Sequence, residues 1–210
     1  MPEPTLVKRT VIALVLALAA APALAQTADE SRCVSDDPDT QIAGCGAVIQ
    51  SGQETPADQA VAYDNRSLAY RRKGLLDQAI ADAGQAIALD PANAAAHVDR
   101  GLAEYARHAY DPAIADFSKA IALKPDNAAV YNDRGNAYDD KGLHDLAIAD
   151  YSHALVLRSD YAAAYANRAS AYEEKKLNDY AVSDYRAALR FDPTLQPAQA
   201  GLKRLGGTSR

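Results

Sequence analysis

Tryptophan is absent from this 210-residue chain, methionine occurs once, cysteine twice, and the four histidines are scattered. So small a stock excludes a multi-cysteine metal framework and a disulfide-dense mini-fold. A surplus of positive charge is missing too. The 22 Lys and Arg stand against 28 Asp and Glu, for a net charge of −6, so no sequence-wide field draws the chain to phosphate backbones or anionic lipid surfaces, and no nucleic-acid partner is expected. The sequence also lacks a Gly-rich phosphate loop, a His-Glu-x-x-His helix and a Gly-x-Ser-x-Gly elbow. His97, His108, His144 and His153 do not converge by spacing, and they read as surface or groove histidines rather than metal ligands. The expectation is a protein that is not an enzyme and carries no cofactor and no metal.

The first 25 residues have the layout of a secretory signal. Lys8 and Arg9 precede an apolar run at residues 11–21, and Pro22 leads into the small-residue site Ala23, Leu24, Ala25. The run is shorter than the roughly 20 residues that cross hydrocarbon. Cleavage after Ala25 is therefore expected, with no membrane insertion afterwards and delivery to the periplasm or beyond. In such a compartment Cys33 and Cys45, 12 positions apart, are expected to form a structural disulfide, because a thiol redox site would want a Cys-x-x-Cys spacing. Closing so short a loop stabilises by about 3 kcal/mol in the chain-entropy model.

A 34-residue period runs from Ala60 to Leu195 in four copies, at 60–93, 94–127, 128–161 and 162–195. Position 8 of each copy is small (Ser67, Gly101, Gly135, Ala169), and so are position 20 (Ala79, Ala113, Ala147, Ala181) and position 27 (Ala86, Ala120, Ala154, Ala188). Small residues there let two antiparallel helices approach to about 8–10 Å. Ile80, Ile114, Ile148 and Val182 recur seven residues before Ile87, Ile121, Leu155 and Leu189, along one helical face. The turn after the first helix falls at Gly74, His108, Gly142 and Lys176. The second helix stops near Pro91, Pro125 and Pro193, whereas the third copy has Ser159, whose loop should be less sharply fixed.

With Tyr70, Tyr138 and Tyr172 at position 11 and those prolines at position 32, the sequence resembles the tetratricopeptide repeat family. The resemblance implies an all-α fold, a right-handed α-solenoid of helix-turn-helix repeats. Capping helices are expected at its ends: a segment at 26–59 with a half-repeat at 39–50, and a C-terminal helix and tail at 196–210. Two features depart from the family pattern. Glu104 takes the aromatic place in the second copy, so that helix is expected to be shifted or looser. Position 7 is Arg in every copy and position 23 is Asp, so Arg66, Arg100, Arg134 and Arg168 are expected to pair with Asp82, Asp116, Asp150 and Asp184 rather than stay solvated.

In this family a ligand lies along the concave face, which the resemblance places at Asn65, Leu68, Arg71 and Arg72 in the first copy and Asp99, Leu102 and Tyr105 in the second. The third contributes Asp133, Asn136, Asp139 and Asp140, and the fourth Asn167, Ser170, Glu173 and Glu174. Such a groove is graded from basic through apolar to acidic. It suits a peptide whose basic portion lies toward the third and fourth copies. A clamp for a terminal carboxylate is not implied, since Asn65 matches one of its places but Asp99 and Asp133 follow. The implied function is a non-enzymatic protein–protein interaction scaffold of the bacterial envelope, binding a protein or peptide as a monomer or weak homo-oligomer. The alternative is a structural, self-assembling element that stacks through its terminal helices.

Overall fold

Between its loop-forming Pro, Asn and Gly positions the chain is built from strong helix formers, Ala above all. The computed structural model, which describes residues 29–207, is accordingly helical, with no strand among those residues. The leader expected at residues 1–25 lies outside them. A helical turn at 29–33 (α1) precedes α2 (Pro38–Ser51). Four antiparallel pairs follow: α3 (Pro56–Arg72) with α4 (Leu76–Leu89), α5 (Ala94–Ala106) with α6 (Tyr110–Leu123), α7 (Ala128–Asp140) with α8 (His144–Leu157), and α9 (Ala162–Glu174) with α10 (Asn178–Phe191). A helix of nine residues, α11 (Gln196–Arg204), ends the array.

Three of the four first helices are entered through polar caps: Thr55 accepts from the Asp58 N–H, Asn93 from Ala96 and Asn127 from Ala129, whereas Tyr161 ahead of α9 makes no side-chain cap. They end in a left-handed residue, which is Gly74 or Gly142 in two copies but His108 (φ 60°) or Lys176 (φ 62°) in the others. The side chain there costs about 1–2 kcal/mol. The bend forms nonetheless because the next N–H closes back on the helix at 2.9 Å in all four copies, as from Ala109 to the Glu104 carbonyl and from Leu177 to that of Tyr172. The third copy's loop is as sharp as the rest: Arg158 ends α8 at φ −139°, ψ 93°, against −134°, 91° for Asp90. Proline is thus dispensable there, and the Arg158 guanidinium lies 3.3 Å from the Tyr161 ring centroid across the turn. Nor is α5 shifted by Glu104, since it has the same 13 residues as α7 and α9.

Each first helix packs on its own second helix and on the second helix before it. Successive first helices also touch, α3 with α5, α5 with α7, α7 with α9 and α9 with α11, whereas successive second helices among the described residues do not. The array therefore curves, with the first helices lining its inner side. The seam between helices is alanine: Ala79, Ala86, Ala113, Ala147, Ala154, Ala181 and Ala188 have no exposed surface. In the last three copies one large ring, Phe117, Tyr151 or Tyr185, fills what the alanines leave open. Phe117 and Tyr151 are buried against Gly101 and Gly135, and a Cβ on Gly135 would lie 2.6 Å from the Tyr151 ring. The first copy solves the same packing with small residues. Ala83 replaces the ring, and the buried Ser67 hydroxyl donates to the Ala79 carbonyl at 2.8 Å.

At the front, Cys33 and Cys45 are joined with their Cα atoms 4.4 Å apart, fixing α1 onto α2. Gly44 is required at that crossing, because a Cβ would come within 2.6 Å of the Arg32 backbone. Exposed ion pairs step along the loops, Asp77 with Arg107, Asp111 with Lys141 and Asp145 with Lys175. At such exposure each contributes little.

Candidate functional site

The inner face is shaped by what holds the first helices in place. All four expected Arg–Asp pairs form, each with two parallel hydrogen bonds at 2.6–3.0 Å from Nε and Nη2 to the two carboxylate oxygens. The carboxylates are buried, at 5–7% exposure, and the fork geometry makes these strong charge-assisted bonds. In three copies the guanidinium also lies between two tyrosine rings, at 5.5–5.9 Å from the centroids of Tyr63 and Tyr70, Tyr131 and Tyr138, or Tyr165 and Tyr172. A third bond ties Arg134 to the Ser118 hydroxyl (3.0 Å) and Arg168 to that of Ser152 (2.9 Å), linking each repeat to the one before. Gly46 and Gly84 stand at the corresponding place for Arg66 and Arg100, where a Cβ would lie 3.7 and 3.9 Å from Nη1. Those two arginines lack the hydroxyl.

The second copy replaces both tyrosines. His97 is buried rather than on the surface or in the groove, with Nδ1 2.9 Å from Asp116 Oδ1 and Nε2 without a partner. Glu104 also buries a partnerless oxygen, Oε2. Burial, and next the Asp116 carboxylate, push Glu104 up to about 7, against the opposing pull of Arg100. A carboxyl held above its free value of 4.5 binds its proton more tightly in the folded chain, so its ionisation lowers stability as pH rises from 4.5 through about 7. Glu104→Gln should therefore match the native chain in urea stability near pH 4.5 and exceed it by about 1 kcal/mol at pH 8, the shift being discounted for solvent screening. An equal difference at both pH values would show that ionisation is not the cause.

On the inner face itself, many of the residues expected to meet a ligand already meet one another. Arg71 donates to Asp99 at 3.1 Å, and Asp64 Oδ1 is buried nearby without a partner. Burial raises Asp64 to about 6, with the Asp99 carboxylate adding to the effect, and burial likewise raises Asp99 and Asp133, each opposed by Arg71. Tyr105 donates to Asp140 at 2.7 Å, and Asp139 lies 2.7 Å from His144 Nδ1. Asn167 donates to both Asn132 (3.0 Å) and Asn136 (2.9 Å), and Asn136 accepts from the Tyr151 hydroxyl (2.9 Å). Glu173 is held by Arg204 from α11 (2.6 and 3.0 Å) and accepts from Tyr185 (2.6 Å). Asn65 reaches the Cys33 sulfur at 3.9 Å and Arg72 donates to the Asp36 carbonyl at 3.3 Å. Leu68, Leu102 and Ser170 are half-buried along the same face, while Asp140 and Glu174 are exposed.

The acidic end is consequently less charged than a count of residues suggests, because Arg204 is paired with one of its carboxylates, Glu173. Tyr151 and Arg204 are the groove partners that the sequence did not single out, whereas His144 lies in the groove as one of the two places expected for it. Among the described residues, no three His, Cys, Asp or Glu side chains group as a metal site, and no helix is long and apolar enough to cross a membrane.

Comparison with known proteins agrees with this geometry. Family models described as "TPR repeat" and "Tetratricopeptide repeat" match residues 101–142, 60–93 and 132–195. No curated protein matches the sequence significantly. Among solved structures, the crystal structure of MamA is similar over 79% of this chain and 94% of its own, at 27% identity and a TM-score of 0.71. The TPR domain of OM64 from Arabidopsis matches 54% of this chain and 93% of its own, at 26% identity and a TM-score of 0.53. The first TPR domain of Spaghetti (RPAP3), bound to the HSP90 peptide SRMEEVD, matches 54% of this chain and 90% of its own, at 25% identity and a TM-score of 0.53. Four copies in register, their stacked antiparallel helices and the family models that cover most of the repeat region lead to one assignment: the chain belongs to the tetratricopeptide repeat family.

Proposed function

We propose that this protein is a non-enzymatic interaction scaffold of the bacterial envelope, holding a peptide or protein segment along the inner face with the segment's basic portion against the third and fourth copies. The observation that carries this reading is the set of carboxylates on α7 and α9. Asp139 is raised by burial, and the neighbouring charges of Asp140 and Glu174 raise it further, so a cationic side chain entering there relieves repulsion as well as forming ion pairs. Leu68, Leu102 and Tyr105 supply apolar contact next to it.

The RPAP3 domain shows that the fold can hold a short peptide, SRMEEVD. That peptide is acidic, and in this chain Asp99 and Asp133 line the face where an acidic guest would need cations, so a guest of the opposite charge is the better match. The envelope setting rests on the leader-like segment at residues 1–25 and on the pairing of Cys33 with Cys45. Titration of the full chain with synthetic peptides that differ only in Lys or Glu at alternate positions tests the proposal. The lysine series should bind, and Asp139→Lys with Asp140→Lys should weaken it about tenfold, or about 1.4 kcal/mol. Equal binding of both series, or an unchanged affinity in the variant, places the binding surface elsewhere.

A further inference from the structure

The chain holds its own example of a cation seated on the inner face. Arg204 of α11 lays its guanidinium on Glu173 of α9 as a fork, with Nε 3.0 Å from Oε1 and Nη2 2.6 Å from Oε2. Tyr185 donates to the same Oε2 at 2.6 Å. The repeat register supplies a counterpart to this arrangement. Because α11 stands where a fifth first helix would, the residues 34 positions earlier are Asp139 for Glu173, Tyr151 for Tyr185 and Ser170 for Arg204.

At the counterpart the carboxylate is present and the cation is not. Ser170 ends at its hydroxyl, short of the span that Arg204 covers to reach Glu173. Asp139 meets His144 Nδ1 at 2.7 Å, Asp140 accepts from the Tyr105 hydroxyl, and Glu174 is exposed beside them. None of these three carboxylates forms an ion pair with a lysine or arginine among the described residues. Their electrostatics differ accordingly. The bonds from Arg204 hold Glu173 below the usual carboxylate range, whereas burial pushes Asp139 up, opposed by His144 and reinforced by Asp140 and Glu174. We propose that the inner face seats an arginine side chain of its guest on Asp139, between α7 and α9, in the place that Arg204 fills one repeat further on. A planar guanidinium bonds one carboxylate through two N–H groups and keeps donors for Asp140 and Glu174, an arrangement that the compact ammonium of lysine does not match. The inference rests on the inner face being the binding surface and adds the side chain which that surface selects.

Two synthetic peptides of one sequence, differing only in Lys or Arg at alternate positions, are titrated with the full chain by fluorescence anisotropy. The arginine peptide should bind about tenfold more tightly than the lysine peptide. Asp139→Asn, which keeps the shape of the side chain, should reduce that preference to about twofold or less. Ser170→Arg gives Asp139 a resident guanidinium and should weaken the arginine peptide about tenfold in the native background, but by at most about threefold in the Asp139→Asn background. Far-UV circular dichroism checks the helix content of each variant, and the Asp139→Asn comparison stands without the Ser170 variants. Binding of neither peptide removes the inner-face reading and the inference together. Equal binding of both leaves that reading in place and overturns the arginine assignment, and so does a loss from Ser170→Arg that is as large with Asn at position 139 as with Asp.

Discussion

Asp150→Ala is expected to lower the unfolding free energy by about 3 kcal/mol, because it strands the Arg134 guanidinium in a site built for a carboxylate. Asp150 is 6% exposed and takes both of its bonds from Arg134, whose own side chain is 18% exposed between two tyrosine rings. Removal of one partner from such a pair is costly, whereas replacement of both by apolar side chains of similar size is often nearly neutral. Arg134→Met with Asp150→Leu should therefore lie within about 1.5 kcal/mol of the native chain. The two urea titrations separate the possibilities. A loss below about 1 kcal/mol for Asp150→Ala alone would mean that the pair behaves as a surface ion pair in spite of its burial.

Tyr151→Ala should cost about 4 kcal/mol, the range for emptying a buried aromatic site. The ring is 1% exposed, it fills the space opposite Gly135, and its hydroxyl donates to Asn136 on the inner face. Tyr151→Phe keeps the ring and should lose only about 1 kcal/mol with the hydrogen bond. The first copy suggests a repair, since Ser67 opposite Ala83 closes the same seam with a hydroxyl bonded to a carbonyl. Gly135→Ser combined with Tyr151→Ala should recover about 1–2 kcal/mol of the loss, as an unfilled cavity shrinks and a helical glycine is removed. Thermal melts of the single and double variants decide this, and a double variant no more stable than Tyr151→Ala would sink the comparison between copies.

The seam of this fold was legible because it is repetitive. Alanines at positions 20 and 27 and an Arg–Asp pair 16 residues apart recur in every copy, and both features follow from two helices having to approach closely. What escaped was side-chain traffic that breaks the period. Asn132, Asn136 and Asn167 stand at three different repeat positions, and only the curvature that brings α7 and α9 into contact unites them. His97 was read as a surface or groove residue because it replaces a tyrosine in a place whose burial is set by the neighbouring helix. The Ser118 and Ser152 bridges could have been found, since each serine stands 16 residues before an arginine of the next copy. The neutralisation of Glu173 by Arg204 could not, because it depends on how α11 lies across the end of α9.

Those serine bridges brace the buried seam of the array unevenly. Junctions ahead of Arg134 and Arg168 are cross-braced by a hydroxyl at the buried seam, whereas the two ahead of Arg66 and Arg100, with Gly46 and Gly84 at that place, are tied nearer the rim, by Arg72 to the Asp36 carbonyl and by Arg71 to Asp99. A superhelix of this kind stores curvature locally, one interface at a time. The carboxylate-rich end is thus laced through its buried seam, and the arginine-bearing end along its rim and by the Cys33–Cys45 disulfide.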